Sequence, residues 1–379
     1  MIKYFRDLLN DRIRIENFRQ AINNSINHNS TVVEIGSALG TYSFFAAQAG
    51  AKTVYAIEMN DIFYIGRELA ECNNLADRIN FIHGRSTEID LPEKADLIIM
   101  EDFGPFFYYH NLLEVLRDAR ERFLKTDGRF IPARIILYIT PFECQAWRNE
   151  LDLFAADNDQ LFGFDWSYTT EIAFNQTYYA DSHPKKLLSA PFPVKTIDLK
   201  TETDFTFQKQ FEVSIQEDGQ IHGLIGWWDC WFTNKQFFSN SPQSGNNSWG
   251  QLIFPFRYPI NVKTGDQVKI SLMVLESAPS GLIDYKWKIT HPSGSQEQDT
   301  FSGRFFDLQQ FSQMRRDVIP SLNEKGLIQA FILNQIDGKN SWDEIAESVM
   351  KTFPGKFASK EDVFKIIVPL SGFLKGTEI

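Results

Sequence analysis

Apolar and polar positions follow two different rhythms along this chain. Over the first 140 residues, short runs rich in β-branched residues recur: TVVEIG (31–36), TVYAIE (53–58), RINFIHG (78–84) and ADLIIME (95–101). Each predicts a buried strand. Segments with helical spacing lie between them, such as SFFAAQAGA (43–51). After the fourth run, Leu112, Val115, Leu116, Ala119 and Phe123 fall on one helical face. RFIPARIILYITP (129–141) predicts one further strand. Strands alternating with helices imply an α/β domain over residues 1–141, a parallel sheet covered on both faces.

Near residue 145 the rhythm changes. WRNELDLFAADNDQLFGFDWSY (147–168) is helical and aromatic in pattern, and from 185 to 306 the chain shows period-two alternation with turn punctuation. That predicts an antiparallel barrel or sandwich within a second domain, 142–310. SAPFPVK (189–195) and SNSPQSGNN (239–247) read as loops. A third, helical domain is expected over 320–379. There Leu327, Phe331 and Ile332 share a face, and Asp337-Gly338 makes a turn. Ser341 with Glu344 forms a capping box ahead of Trp342, Ile345, Ala346, Val349, Met350 and Phe353. Ser359 and Asp362 then open a helix carrying Val363, Ile366, Ile367 and Leu370. No repeat of fixed period is visible.

Composition narrows the classes. With 43% hydrophobic residues in 379, the chain can bury a core, and no apolar run reaches the roughly 18 residues of a membrane span. The net charge of −11, from 38 basic and 49 acidic residues, would repel a phosphate backbone, and no basic cluster offsets it. Nucleic acid and membrane are therefore not expected as partners. The N-terminal stretch MIKYFRDLLNDRIR has no signal-peptide core. Cys72, Cys144 and Cys230 are odd in number and widely spaced, so neither a disulfide framework nor a metal site is expected. A cytoplasmic location is the plain expectation.

The chemistry concentrates in VVEIGSALGTYS (32–43), which sets Glu34, Gly36, Ser37, Ala38 and Gly40 at the end of a strand, just before a helix. Glycines there let the backbone turn tightly against a ligand, and helix N–H groups point into the same space. Eighteen residues beyond Gly40, Glu58 closes the next strand, followed by Met59; a carboxylate so placed can accept from both ribose hydroxyls. A dinucleotide turn normally carries three glycines for the pyrophosphate. Here the middle one is Ala38, and the acid at Glu34 suits a cationic amine or sulfonium better than a diphosphate. S-adenosylmethionine is favoured over NAD.

These residues carry a resemblance. VVEIGSALGTYSFFAAQAGAKTVYAIE, with LPEKADLIIMEDFG, ARERFLKTDGRFIP, LYITP, FGFD (162–165), GWWDCWF (226–232) and FSNSPQSGNNSWGQLIF (238–254), resembles the protein arginine methyltransferase family over residues 4–290. The resemblance implies a Rossmann-like methyltransferase domain, then a β-barrel carrying a helical dimerisation arm near 147–180, and a homodimer. It also implies that Gly36, Ser37 and Gly40 line the methionyl part of the cofactor. Glu58 would sit on the ribose, Ser86, Thr87 and Glu88 beside the adenine, and Arg14 on the cofactor carboxylate.

The acceptor side departs from the family. Its members hold the guanidinium between two glutamates on a loop of the form SExMGxxLxxE; this chain reads MEDFGPFFYYH (100–110). Glu101 fills the first acidic position, Asp102 follows, and His110 replaces the second glutamate. The family's Thr-His-Trp loop reads Asn247-Ser248-Trp249, and the helix bearing its paired aromatics is expected to be nearly absent, since the sequence starts just before Tyr4-Phe5. Glu101 and Asp102 could bind the acceptor together with Ser248 and Trp249 while His110 takes its proton. Against Asp102, neighbours on an extended loop point to opposite sides. His110 could equally cap the following helix. The acceptor could be a guanidine, another nitrogen or an oxygen, in a peptide, an amino acid or a small metabolite; a non-catalytic cofactor-binding scaffold is the remaining alternative.

LIQAFILNQIDGKNSWDEIAESVMKTFPGKFASKEDVFKIIVPLSGFLKG (327–376) is similar to small winged-helix domains of the PqqD-like type. These bind leader peptides in ribosomal peptide biosynthesis, often by strand addition. The resemblance implies a peptide acceptor delivered by its leader; a purely packing role for the domain fits its pattern as well.

Overall fold

The computed structural model of the chain describes residues 2–109, 111–152, 163–180, 183, 185–245, 248–277, 282–304 and 317–370. Two helices, α1 (Ile2–Asn10) and α2 (Arg12–Asn23), lead into a parallel sheet of β1 (Thr31–Ile35), β2 (Thr53–Glu58), β3 (Ile79–His83), β4 (Ala95–Met100) and β5 (Leu124–Ile131), ordered β3-β2-β1-β4-β5. All five residues of β1 are buried, as a central parallel strand requires. The crossovers carry α3 (Thr41–Gln48), α4 (Ile62–Cys72) and α5 (Leu112–Asp118). The helical face expected from Leu112 to Phe123 is buried at Leu112, Leu116, Ala119 and Phe123, but its last turn, Ala119–Phe123, widens into a π-helix.

The single strand expected over 129–141 is two. β5 ends at Ile131, and β6 (Arg134–Glu143) starts the second sheet after Pro132 and Ala133. Apolar residues flank this junction closely, with Phe130 and Ile131 on one side and Ile135 and Leu137 on the other all buried, and Pro132, lacking an N–H, stops the first ladder. The antiparallel strands are β6, β7 (Tyr178–Tyr179), β8 (Lys186–Leu187), β9 (Phe192–Asp198), β10 (Phe207–Ser214), β11 (Gly219–Trp231), β12 (Phe237–Ser239), β13 (Leu252–Val262), β14 (Gln267–Ser277), β15 (Leu282–His291) and β16 (Gly294–Asp299). One sheet runs β7-β13-β11-β6-β8, with β9 on β6 and β12 on β11; the other runs β10-β14-β15-β16. Trp287 and Trp228 share one continuous core with Phe18 of α2 and with Val33 and Ile98 of the parallel sheet. The parallel sheet and the two antiparallel sheets lie in one compact unit, Met1–Arg304.

Of the helical arm, α6 (Gln145–Asp152) and α7 (Ser167–Phe174) are described, with Trp147 and Phe174 buried against Phe142 and Trp227. The middle of the expected arm, 153–162, lies outside the described residues.

The second compact unit is Phe305–Ile379. Its described part contains α8 (Glu324–Gln335), α9 (Trp342–Thr352) and α10 (Lys360–Leu370) around Ile328, Ile332, Ile345, Val349, Val363 and Ile367. The capping box is formed, Ser341 Oγ accepting from Glu344 N and Glu344 accepting from Ser341 N. The inward face of α8 is one residue off expectation: Ile328 is buried, whereas Leu327 is 51% exposed. Among the described residues of this unit there is no strand, so a winged-helix sheet is not part of what is seen.

Candidate active site

The turn after β1 is shaped by its backbone. Gly36, Ala38 and Gly40 all have positive φ, +73°, +48° and +79°. A side chain at Gly40 would also stand 3.0 Å from the Phe81 ring. Glu58, at the end of β2, closes the turn: its Oε2 accepts from Ala38 N at 2.9 Å, and its Oε1 from Asn60 N at 2.7 Å and Asn60 Nδ2 at 3.0 Å. A carboxylate offers about four acceptor positions, so one remains on Oε2 for a hydroxyl. Ser37 Oγ is buried without a partner among the described residues. An orphaned hydroxyl in a left-handed turn, beside a carboxylate with spare capacity, fits a polar nucleoside ligand.

The remaining expected cofactor residues stand on several elements. Ser86, Thr87 and Glu88 form one turn after β3, and Arg122 locks it in place, donating to Ser86 O at 2.6 Å and Ile89 O at 2.5 Å. Met59 stands at the end of β2 and is 57% exposed. Glu34, also expected at the cofactor, is bonded within the protein through one of its two oxygens. It is buried, and its Oε2 accepts both Ser43 N at 2.7 Å and Ser43 Oγ at 2.5 Å, tying β1 to the first turn of α3. Burial pushes its carboxyl up to about 8, and the two Ser43 bonds offset only part of that.

On the acceptor side, Glu101 leaves β4 beside Arg14. Arg14 Nη2 stands 3.1 Å from Glu101 Oε2. Its Nε donates to Tyr42 Oη at 3.0 Å and its Nη1 to Ser248 Oγ at 3.3 Å, while its guanidinium lies 5.0 Å from the Trp249 ring centre. Burial opposes the Arg14 charge, but Glu101 and Tyr42 more than restore it, so the guanidinium stays protonated. Burial pushes the Glu101 carboxyl up to about 7; Arg14 pulls it down and Asp102 pushes it further up. Asp102 is exposed and abuts the donor turn, since a methyl built on Gly36 would lie 3.7 Å from its Cβ. Ser248 is held by Asp11, whose Oδ2 accepts its N–H and its hydroxyl, each at 2.9 Å. Trp249 stacks on Phe103 at 5.6 Å between ring centres.

Glu101, Asp102, Ser248 and Trp249 thus meet at one place, joined there by Arg14, which was expected at the cofactor carboxylate; His110 lies outside the described residues. Tyr4 and Phe5, whose helix was expected to be nearly absent, sit in the nine-residue α1. Sequence reasoning missed Tyr42 and Asp11. Tyr42, stacked on Phe18 at 4.6 Å, bonds Arg14 and Glu101 together. Its position two residues past Gly40 was the one available signal.

The comparisons with known proteins agree with this geometry. Residues 133–288 match the family model described as Arginine methyltransferase oligomerization subdomain, and residues 10–121 that described as TRM5/TYW2 methyltransferase domain. Protein arginine N-methyltransferase 1 of Schizosaccharomyces pombe is 30% identical over 271 residues, covering 69% of this chain and 79% of that protein. This chain belongs to the protein arginine methyltransferase family. A second member, protein arginine N-methyltransferase PRMT10 of Oryza sativa subsp. japonica, is 28% identical over 327 residues, 77% of this chain and 86% of its own. Among solved structures, Arabidopsis thaliana protein arginine methyltransferase 10, in an open conformation, superimposes with a TM-score of 0.69 at 25% identity, over 79% of this chain and 98% of that one. The fold is shared with the Trypanosoma brucei PRMT1 enzyme–prozyme heterotetrameric complex, solved with AdoHcy: TM-score 0.72, 23% identity, 78% and 96% covered. As a family member, the protein is an S-adenosylmethionine-dependent methyltransferase of the arginine N-methyltransferase type.

Proposed function

We propose that the enzyme methylates a nitrogen of an arginine side chain in a peptide. Glu101 carries this reading: a partly buried carboxylate at the lip of the donor turn, in this structure already facing a guanidinium across 3.1 Å beside an aromatic ring. S-adenosylmethionine, when bound, supplies a methyl group activated on a sulfonium. Gly36, Ser37 and Gly40 would hold its methionyl part, Glu58 its ribose, Ser86, Thr87 and Glu88 its adenine, and Arg14 its carboxylate. Glu101, ionised, balances the charge of the incoming guanidinium and aims one nitrogen at the turn; catalysis of this kind rests on placement and electrostatics. Asp102 supplies the second carboxylate, and His110 takes the proton released.

The finer parts of the proposal concern partners. The enzyme works as a homodimer through the arm near 147–180, in the cytoplasm. Its C-terminal unit, which has a core of its own, recognises the leader of a ribosomally made peptide. Incubation with methyl-labelled S-adenosylmethionine and arginine-containing peptides, read by tandem mass spectrometry, tests the acceptor. Label on arginine is expected; label only on other residues or on free metabolites would overturn the reading. A variant ending at residue 304 should retain S-adenosylhomocysteine binding yet lose methylation of a leader-bearing peptide. Undiminished methylation of that peptide would remove the leader from the proposal.

A further inference from the structure

Three consecutive carbonyls of the acceptor loop each accept a hydrogen bond from a barrel side chain. Trp249 Nε1 donates to Phe103 O at 2.8 Å, Trp228 Nε1 to Gly104 O at 3.0 Å and Asn240 Nδ2 to Pro105 O at 2.9 Å. Asn240 is fully buried, and its amide is nearly saturated. The same Nδ2 donates to Gly250 O at 2.6 Å, and Oδ1 accepts from Trp228 N at 2.8 Å. Its backbone is held as well, with its N–H on Trp228 O at 3.2 Å and its carbonyl taking Gln251 Nε2 at 2.6 Å. One side-chain amide therefore joins three pieces of chain: the acceptor loop, β11, and the segment that delivers Trp249.

Beyond these three, the loop is held by the Arg14–Glu101 pair, by Tyr108 Oη donating to Phe205 O at 2.5 Å, and by apolar packing. Phe103 packs on Trp228 and Trp249, Phe106 on Phe254, and Gly226 leaves the room that Phe106 occupies, since a Cβ there would come within 2.8 Å of it. Apolar contact is non-directional and permits sliding; hydrogen bonds to successive carbonyls fix rotation and height, and a fully satisfied buried network does so at low dielectric. Phe107 holds φ at +72°, a conformation that persists only where the surroundings over-determine the backbone. Glu101 lies just upstream, its carbonyl accepting from Phe103 N at 3.0 Å.

We propose that Asn240 is a positioning residue for methyl transfer: by fixing the acceptor loop to the barrel, it sets where Glu101 stands relative to the turn after β1. This rests on the reading of Glu101 as the group that aims the acceptor. Asn240→Asp preserves shape but faces Pro105 O and Gly250 O with an oxygen in place of a donor. Trp228→Phe removes one loop bond and keeps an aromatic ring. In the full-length enzyme, calorimetry with S-adenosylhomocysteine counts competent sites and gives the affinity. Turnover per competent site is measured on the acceptor the wild type uses, and hydrogen exchange is followed over residues 101–109 and 31–58.

Both variants should bind S-adenosylhomocysteine within threefold of wild type. Per-site turnover should fall at least tenfold, and exchange should quicken over 101–109 but not over 31–58. Wild-type turnover per competent site in both variants, or unchanged exchange over 101–109, would overturn the proposal. A merely structural role would lower the number of sites and leave each one as fast as before. If Asn240→Asp yields no folded protein, Asn240→Ala, which removes the bonds to Pro105 O and Gly250 O without facing them with an oxygen, decides by the same readouts. A wild type that leaves arginine untouched would count against the arginine reading alone, because the exchange measurement needs no acceptor.

Discussion

Arg14 and Glu101, 87 positions apart in the chain, form an ion pair of 3.1 Å between the residue expected at the cofactor carboxylate and the residue expected at the acceptor. Arg14 also serves Tyr42 and Ser248, which leaves two of its five N–H groups without a partner among the described residues. It can therefore take a further carboxylate without giving up Glu101. Buried pairs of this kind add little net stability, but removing one member strands the other.

Arg14→Met should accordingly do two things. S-adenosylhomocysteine affinity should drop at least tenfold by calorimetry. The acid limb of the pH–rate profile should also move upward by about one unit or more, because Glu101 loses the cation that opposes its burial. An unmoved limb would detach Arg14 from Glu101 in function.

Glu101→Gln keeps the shape and removes the charge. Turnover should fall at least tenfold with cofactor affinity changed less than threefold. In the wild type the carboxyl, pushed up to about 7, ionises as pH rises through that value, so activity should rise there. The variant should show no such limb. A limb that survives the substitution assigns it to another group.

Stability should depend on pH through Glu34. Its folded carboxyl is pushed up to about 8 from an ordinary 4.5, so the folded state holds a proton that the unfolded chain releases. The contribution is complete below about pH 4.5 and is lost progressively as pH rises to about 8, by at most about 1.4 kcal/mol per pH unit. Glu34→Gln can still accept from Ser43 and does not titrate. Its thermal midpoint should fall less steeply than the wild type's between pH 5 and 8.5, and parallel curves would refute this assignment.

Gly40→Ala tests the donor turn. Positive φ costs a non-glycine residue about 1–2 kcal/mol, and the new Cβ would meet the Phe81 ring at 3.0 Å. Denaturant titration should show a loss of about 1–3 kcal/mol, accompanied by weaker S-adenosylhomocysteine binding. Wild-type values for both would mean the turn tolerates a side chain.

What could be read from the sequence was whatever is local. The β-branched runs placed β1 to β4, the spacing from Gly40 to Glu58 placed a carboxylate at the end of β2 against the turn, and Ser341 with Glu344 placed the start of α9. What the pattern does not carry depends on distant partners. Nothing near Glu34 announces that Ser43 will consume both bonds on its Oε2, and nothing near Arg14 announces Glu101 or Tyr42. Buried apolar residues close on either side of the junction, Ile131 and Ile135, hid a change of sheet, because burial on both sides looks the same in a one-dimensional pattern. In α8, two adjacent apolar residues, Leu327 and Ile328, made the inward face ambiguous by one position.

The passage from β5 to β6 has a mechanical consequence. Two residues, Pro132 and Ala133, tether the sheets, and Ala133 N is itself bonded to Trp231 O at 2.9 Å. With so short a leash and a shared interior, admitting a substrate by swinging the halves apart would tear the core. Helix α1, none of whose residues is buried, can be displaced at far smaller cost. Tyr4 of α1 lies close enough to Glu101 and Asp102 to feel their charge, so the way to those carboxylates should open and shut with α1 while the body of the enzyme stays still.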